Sequence, residues 1–200
     1  MELIAGPIKG YKAFSPDLTC RGFQFQIGQT YELPSGEEPV PCKRGFHFCL
    51  VPIHCNHYYH KSYKPRYAEI EAWDVINDGD KSVARKILIV REISLDEWES
   101  LEGRFEGNRK TYYIKRGKIH REDGPAIEYA DGRGITKEWY IRGLRHREDG
   151  PAFEYANGDK VWYQYNNIHR KDGPAFERGD GYKEWWENGI CFRCYRPPDW

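Results

Sequence analysis

The feature that most constrains the fold of this chain is an internal repeat in its second half. One short segment occurs three times, and each occurrence is followed by a glycine turn and an aromatic pair. The tryptophans that open these pairs, Trp139, Trp162 and Trp185, are spaced by 23 positions. Such self-similarity indicates an array of stacked structural units. The three copies are His120–Tyr129, His146–Tyr155 and His169–Glu177.

Each copy is predicted to form a β-hairpin. In the middle copy, Phe153–Tyr155 is the first strand, and Asn157–Gly158 can adopt the positive φ angles of a tight turn. Lys160–Tyr165 then returns as the second strand. The first copy carries three extra residues, which we place around Asp131–Thr136. Because a single hairpin is marginal in water, neighbouring copies must bury each other's aromatic rings.

Charged residues also recur in register within the repeat. An arginine and an aspartate occupy the same two positions of every copy, next to the segment that is predicted to turn. We interpret them as structural, because Asp can bond nearby turn amides and Arg can pair with Glu of a neighbouring copy. The residues are Arg121, Arg147 and Arg170, and Asp123, Asp149 and Asp172.

The first half of the chain has no repeat and mixes strand and helix signals. Tyr67–Trp73 alternates strictly, which predicts a strand with Ala68, Ile70 and Ala72 facing inward. The remaining signals are strands at Gly10–Phe14, Cys20–Phe25 and Lys86–Ile93, a helix from Pro52 to Tyr59, and a capping box at Ser94–Glu97 that opens a short helix. The predicted fold class is therefore α+β. A small α+β module spans residues 1–105, and an antiparallel β-hairpin repeat sheet spans residues 110–200.

Ordered motifs in the first half resemble an uncharacterised family found in phages and bacterial mobile elements. The motifs are Gly10–Phe14, Thr19–Gln24, Gly45–Cys49 and Asp80–Val83, within about residues 8–95. The resemblance implies a small α+β module, a phage or prophage setting and no established activity. This sequence departs from the pattern after Cys49, where polar residues occupy a helix that is usually more apolar.

The second half resembles MORN-type repeats. Those repeats also run at 23 residues, and they pair an Asn-Gly or Asp-Gly turn with aromatic strands. In this chain His-Arg-Glu-Asp-Gly-Pro-Ala replaces the usual His-Gly-x-Gly, so the repeat is a variant of that pattern.

Charge and composition exclude several classes of function. The chain has 31 basic and 31 acidic residues, a balance that argues against a nucleic-acid or anionic membrane partner. It has no apolar run near the roughly 20 residues of a membrane span and no signal peptide at its start. We therefore expect a cytoplasmic protein, of the host cell if phage-encoded, with reduced cysteines.

Histidines and cysteines cluster after residue 41 and suggest a metal site. Cys42, His47, Cys49 and His54 are ligand types that suit zinc, although their spacing matches no zinc finger. We expect no cofactor and keep zinc as the alternative. Cys191 and Cys194 form a true C-x₂-C pair, whose metal-binding capacity the sequence leaves open.

One set of residues in the first half suggests a transferase-like pocket. Two glutamates spaced by two on a strand project from the same face. Together with residues earlier in the chain, they follow the order found in ADP-ribosyltransferases, which such a site would resemble. The alternative catalytic residues are Tyr11, Arg21, His47, Glu69 and Glu71. The simpler interpretation is the wet face of an amphipathic strand.

The aromatic pairs of the repeat suggest a binding surface. The two rings of each pair point to opposite faces of a strand, so one ring can enter the core while the other faces outward. With the repeat register, the outward rings would stack into an exposed ladder suited to binding. We assign this ladder to Tyr113, Tyr140, Tyr163 and Trp186.

These observations predict a non-enzymatic binding protein of phage or mobile-element type. It would capture a host protein or a small ligand and could thereby act as a counter-defence inhibitor. The alternative is an ADP-ribosyltransferase-like or nucleotide-binding activity in the first module. A third hypothesis makes the repeats an assembly scaffold for homo-oligomers.

Overall fold

The computed structural model describes residues 3–58, 64–130 and 134–198. The chain divides into two compact units, residues 1–101 with 106–108 and residues 102–105 with 109–200. The predicted α+β class is wrong, because the structure is mostly β. The helices in the described residues, α1 (Pro52–Cys55) and α2 (Leu95–Ser100), are both shorter than two helical turns. Neither is long and apolar enough to cross a bilayer.

The first unit is built around one antiparallel sheet with the order β1-β6-β7-β4, in which β5 also pairs with β7. A separate hairpin, β2–β3, completes the unit. The strands are β1 (Ile8–Phe14), β2 (Thr19–Cys20), β3 (Phe23–Gln24), β4 (Thr30–Glu32), β5 (Phe46–Phe48), β6 (Arg66–Asp78) and β7 (Lys81–Ile93).

The long hairpin of β6 and β7 carries the core of this unit. Ala68, Ile70 and Ala72 are at most 1% exposed, which confirms the predicted inward face of that strand. On β7, Ile87 and Ile89 are fully buried while Val90 is exposed. The apolar run of β7 is therefore covered on one face only, as expected for a strand in an antiparallel sheet with one wet side.

Of three predictions made from short segments of the first unit, one is confirmed and two differ from the structure. The capping box is confirmed, since the Ser94 hydroxyl accepts the Glu97 N–H at 3.1 Å at the start of α2. The predicted strand Cys20–Phe25 is instead the β2–β3 hairpin, turned by Arg21 and Gly22 at φ angles of 52° and 77°. The predicted helix from Pro52 ends at Cys55 in the structure, and its predicted last residue, Tyr59, lies outside the described residues.

The second unit is a ten-stranded antiparallel sheet with two extra hairpins, β13–β14 and β17–β18. Its order is β10-β9-β11-β12-β15-β16-β19-β20-β21, with β8 beside β9. The strands are β8 (Gly103–Glu106), β9 (Lys110–Lys115), β10 (Lys118–Ile119), β11 (Ile127–Tyr129), β12 (Ile135–Glu138), β13 (Tyr140–Ile141), β14 (Leu144–Arg145), β15 (Phe153–Tyr155), β16 (Lys160–Val161), β17 (Tyr163–Gln164), β18 (Asn167–Ile168), β19 (Phe176–Glu177), β20 (Lys183–Glu187) and β21 (Ile190–Tyr195).

In the first two copies the returning strand changes its partner at the tryptophan, whereas in the third copy β20 runs through Trp185 and pairs with β21 along its length. Val161 of β16 pairs with Phe176 in the next copy, whereas Tyr163 of β17 pairs with Ile168 in the same hairpin. Trp162 lies at the break between the two strands. The predicted strand Lys160–Tyr165 is therefore two short strands, one that joins neighbouring copies and one that closes the hairpin.

A buried alanine in each copy joins it to the unit before it. Ala126, Ala152 and Ala175 have no exposed surface. The Ala152 N–H donates to the Val161 carbonyl at 2.8 Å, and the Ala152 carbonyl accepts the Trp139 N–H at 2.9 Å. Equivalent bonds recur at the other two alanines. Each alanine thus bonds the returning strand of its own copy and the strand of the unit before it, a nearest-neighbour pattern that is typical of a repeat array.

The insertion in the first copy falls partly on residues 131–133, which lie outside the described residues. Just after it, the pairing of β12 with β15 shifts register between Ile135 and Lys137. Thr136, the residue at the shift, uses its hydroxyl to donate to the Glu154 carbonyl at 3.0 Å. The sheet therefore accommodates one of the three extra residues, Thr136, as a bulge.

Candidate functional site

A cavity of about 220 Å³ in the first unit is lined by strands β1, β5 and β7, the β2–β3 hairpin and helix α1. Its lining combines basic side chains, thiols and aromatic rings. Among the described residues that line it, none is an aspartate or a glutamate. The polar and charged members include Tyr11, Lys12, Arg21, His47 and Lys81.

A close approach of two backbone segments fixes one wall of this cavity. The Tyr11 N–H donates to the Cys49 carbonyl at 2.7 Å, and the Cys49 N–H donates back to the Tyr11 carbonyl at 2.8 Å. Gly10 permits this contact, because a Cβ atom there would lie 2.5 Å from the ring of Phe48. A larger residue at position 10 would push β1 away from β5 and deform the cavity.

The most unusual group in the cavity is the ammonium of Lys12, whose side chain points inward from β1. The residue is only 4% exposed. Its Nζ donates to the His47 carbonyl at 2.6 Å and contacts the Cys20 Sγ at 3.6 Å. It also lies 5.1 Å from the centre of the Phe25 ring. A buried cation held by neutral groups leaves an unbalanced positive charge, so an anion in the cavity would be favoured.

The pKa of His47 is lowered by burial and by the positive charges around the cavity. Burial lowers its pKa to about 4, and the charges of Arg21, Lys12 and Lys81 contribute to the same shift. The ring is therefore neutral near pH 7, and its Nε2 accepts the Cys42 N–H at 3.0 Å. An imidazole with this pKa and this partner is a structural acceptor and lacks the protonation that a general acid needs.

Thiols form the inner end of the cavity. Cys49 and Cys55 are at most 3% exposed. Burial raises the pKa of Cys55 well above its ordinary value. Because only the thiolate is a good nucleophile, Cys55 is unreactive at neutral pH in this setting. All six cysteines of the chain are free thiols in the structure, without a disulfide bond.

The structure brings together three of the five residues of the predicted transferase set. Tyr11, Arg21 and His47 line this cavity, whereas Glu69 and Glu71 line a second cavity that also reaches Tyr11. Glu69 is bonded to both ends of the Arg91 guanidinium, at 2.6 and 2.9 Å. This carboxylate is occupied by a surface ion pair, as the simpler interpretation of the strand's wet face predicts.

The predicted zinc ligands are dispersed. Cys42 is exposed, with its Sγ 4.0 Å from a carboxylate oxygen of Asp78. The Nε2 atom of His54 lies 3.7 Å from Asp80, and His47 is bonded as described above. Within residues 3–58, 64–130 and 134–198, no group of three or more His, Cys, Asp or Glu side chains could hold a metal ion.

In the second unit, each copy contains a clamp built on its arginine. The Arg147 Nη1 donates to the Pro151 carbonyl and to Glu154, both at 3.2 Å, and its Nε donates to Asp149 at 2.8 Å. Its guanidinium lies 4.1 Å from the ring centre of Trp139. Arg121 and Arg170 repeat the carbonyl, glutamate and ring contacts. The arginine pairs with the glutamate of its own copy, so the predicted pairing with a neighbouring copy is wrong.

The clamp also explains the glycine of the Asp-Gly-Pro motif. A Cβ atom on Gly150 would lie 2.8 Å from the Arg147 Cζ, and the same contact at Gly173 would be 2.9 Å from Arg170. The φ angle of Gly150 is not in the left-handed region. The glycine is therefore needed to let the guanidinium lie flat across the backbone.

The predicted aromatic ladder divides into two rows. The first row is the ring under each arginine clamp: Tyr113, Trp139, Trp162 and Trp185, beneath Arg121, Arg147, Arg170 and Arg193 at 3.9 to 4.5 Å. Assignment of Tyr113 to the row of Tyr140, Tyr163 and Trp186 is thus wrong, because buried Ile114 occupies the equivalent position. The mistake arises because β9, before the first copy, carries Tyr113 where the later units carry Trp, and Tyr112 before it gives the appearance of an aromatic pair.

The other three predicted binding residues are half-buried. Tyr140 and Tyr163 pack on Phe153 with ring centres 6.3 and 5.4 Å away. The indole N–H of Trp186 donates to Glu184 at 2.7 Å. These contacts place the rings in the packing of the sheet, and their role as a binding face stays a prediction.

Replacement of Arg147 by Lys is expected to lower the free energy of unfolding by about 1–2 kcal/mol, because an ammonium cannot reproduce the planar fork over Trp139. Urea denaturation of the purified chain would measure this loss. Arg142, an exposed turn residue of the β13–β14 hairpin just before this copy, supplies the control: Arg142→Lys should leave stability within about 0.5 kcal/mol. Equal midpoints for the two variants would contradict the clamp.

The fold and site together define the first unit as a small antiparallel β domain with a basic cavity. Residues 8–101 match a family model described as a domain of unknown function, DUF7666. The match agrees with the predicted resemblance to a family without established activity; the phage setting and the MORN-like character of the repeats stay predictions. Searches of curated proteins and of solved structures found no match for this chain.

Sequence reasoning missed the basic residues that give the cavity its character. Lys12 and Lys81 lie in motifs that were singled out, but they were not assigned to a site. A signal for Lys12 was present: on β1, alternate residues Gly10, Lys12 and Phe14 face inward and are buried. A lysine at an inward strand position is rarely tolerated without a purpose or a partner.

Proposed function

We propose that the first unit binds a small organic anion and holds it without chemical change. The observation that carries this proposal is the charge of the cavity. Lys12, Arg21 and Lys81 line it, and among its described lining residues there is no carboxylate to neutralise them. A carboxylate or phosphate group would supply the missing negative charge and accept hydrogen bonds from these donors.

The size and lining of the cavity narrow the ligand class. A volume of about 220 Å³ lies below the roughly 300 Å³ at which most cofactor and drug-sized sites begin. The rings of Tyr11, Phe48 and Tyr58 provide flat apolar walls. The ligand that fits best is therefore one anionic group on a small, flat, apolar body, which is smaller than a dinucleotide.

Three features support a binding role over catalysis. His47 is neutral and already bonded, the buried Cys55 thiol stays protonated, and the glutamates of the transferase alternative lie outside the cavity. In the phage setting that the sequence resemblance implies, capture of a small host anion would be the form of a counter-defence activity.

The test is calorimetric titration of the full chain with phenyl phosphate, with benzoate and with the neutral analogue benzyl alcohol. We expect the anions to bind and benzyl alcohol to bind at least about tenfold more weakly. Lys12→Met should weaken phenyl phosphate binding at least about tenfold, since a charge-assisted hydrogen bond is worth about 1.5–3 kcal/mol.

The matched control is Lys9→Met, which removes an exposed lysine of the same strand outside the cavity. Its affinity should equal that of the unmodified chain. Circular dichroism spectra would show that both variants keep the fold. Equal binding of benzyl alcohol and phenyl phosphate, or an unchanged affinity in Lys12→Met, would overturn the proposal.

A further inference from the structure

The last strand of the repeat array differs from its counterparts in the inner copies. Residues Ile190–Pro197 occupy the positions that Asn167–Pro174 occupy one repeat earlier. Arg193 and Pro197 are retained in this comparison. However, Phe192 stands where the earlier copy has His169, and the aspartate and glycine of the motif are replaced by Tyr195 and Arg196.

This divergent segment ends the sheet by taking the place of a further copy. In an inner copy, β16 pairs on its outer side with β19 of the next copy. At the end of the array, β20 pairs instead with β21, from Glu187 opposite Ile190 to Lys183 opposite Tyr195, with Phe192 as the extra residue of a bulge. Strand β21 is therefore the outermost strand at this end of the ten-stranded sheet.

The outermost strand is long, exposed and apolar. All six residues of β21 are exposed, and Ile190 and Phe192 reach 70% and 62%. The residue equivalent to Phe192 in the preceding copy, His169, is only 5% exposed. A long edge strand that is mostly apolar and carries one charged residue is a template for pairing with another strand.

We propose that β21 pairs antiparallel with β21 of a second copy of this chain, so that the two sheets join across a two-fold axis. The strand pairs from β15 to β21 are all antiparallel, and a two-fold axis continues that pattern. The charge of β21 also permits self-pairing. Arg193 is its one charged residue, and its guanidinium is held 4.5 Å from the ring centre of Trp185.

Self-pairing continues contacts that already exist inside the array. At each inner junction the carbonyl of one copy accepts a turn N–H of the next, as Ile168 does from Gly189 at 3.0 Å. One repeat later the equivalent residue is Cys191, on the open strand. A second β21 would cover this edge together with Ile190 and Phe192, and it would leave no free edge there, so assembly stops at two chains.

The test is sedimentation equilibrium of the full chain across the micromolar range, with a reductant present so that exposed Cys191 and Cys194 cannot crosslink. The mass should rise with concentration from 23.7 kDa towards twice that value and no further. The double variant Ile190→Lys with Phe192→Lys should raise the dissociation constant at least about tenfold, because like charges would then face each other.

The array supplies a matched control in Leu144, which occupies the position of Ile190 two copies earlier and is also exposed, at 38%. Leu144→Lys should dimerise as the unmodified chain does. Circular dichroism and thermal melts would verify that the variants are folded. A chain that stays monomeric throughout, forms larger species, or dimerises equally well in the double variant would overturn the proposal.

Discussion

Deletion of residues 162–184 as one whole unit is expected to leave a folded second unit with a lower melting temperature. The deletion joins Val161 to Trp185, which replaces Trp162 at the equivalent position of the repeat. The Trp162 N–H donates to the Ala175 carbonyl, and the shortened array loses this junction while it keeps the others in register. Stability should fall because one set of interfaces between neighbouring copies is removed.

Deletion of half a unit, residues 162–172, should instead prevent the second unit from folding. It would bring the Gly173-Pro174-Ala175 segment of one copy into the position of a tryptophan and its hairpin strand. Strand register would then be lost, and the buried alanine and clamp arginine could no longer meet their partners. Far-ultraviolet circular dichroism and calorimetric melting would separate the two deletions. Indistinguishable melting profiles would contradict the model of stacked copies.

The sequence predicted those features that depend on short-range patterns. The 23-residue period, the alternation around Ile70 and the serine cap at Ser94 each arise from local geometry, and each has its expected counterpart in the structure. The length of the helices could not be predicted from such local patterns. Pro52 is a good first residue for a helix, but the helix that it starts ends after one turn, and the long β6–β7 hairpin dominates the unit.

The sequence pattern of a single copy could not predict which strand each segment of the repeat pairs with. Nothing in the segment Lys160–Tyr165 distinguishes the residues that bond the next copy from those that close the hairpin, because the switch at Trp162 is decided by tertiary contacts. The same limit applies to the clamp. An arginine and a glutamate seven residues apart, such as Arg147 and Glu154, meet only after the intervening glycine and proline have bent the chain.

The candidate site shows the same contrast between features set by local sequence and features set by tertiary contacts. Tyr11, Arg21 and His47 were selected for their order in the chain, and the structure does place them around one cavity. The selection could not anticipate that Glu69 would be held by Arg91, a residue distant in sequence. Nor could it show that the cavity's charge is positive, since that depends on which lysines point inward.

The first repeat copy holds a buried carboxylate between two tyrosines. Glu138 is 5% exposed, and its two carboxylate oxygens accept from the hydroxyls of Tyr129 and Tyr140, the second at 2.8 Å. In the next copy the equivalent residues are Tyr155, Val161 and Tyr163, so an apolar residue replaces the carboxylate between two tyrosines. Val161 therefore shows that the repeat accommodates an uncharged side chain at the position of Glu138.

Replacing both tyrosines by Phe should lower the free energy of unfolding by about 3 kcal/mol or more, because the carboxylate stays buried without its donors. Glu138→Val should cost less than about 1 kcal/mol, since a buried charge and its desolvation are removed together and Val161 shows that the site accepts the side chain. Urea denaturation would rank the variants. A Glu138→Val variant as unstable as the double Phe variant would contradict this account.

The same cluster sets an alkaline limit to stability. Burial, followed by the charge of Glu138, raises the pKa of Tyr140 from 10.0 to about 12. A tyrosine whose pKa is raised in the folded state stabilises the fold fully below pH 10, and this contribution is lost as the pH rises from 10 to about 12. Thermal melts at pH 8 and pH 11 should therefore differ less in Tyr140→Phe than in the unmodified chain. If both chains lost equal stability over this interval, the Tyr140 hydroxyl would not be coupled to folding, and the contact with Glu138 would carry no stabilising role.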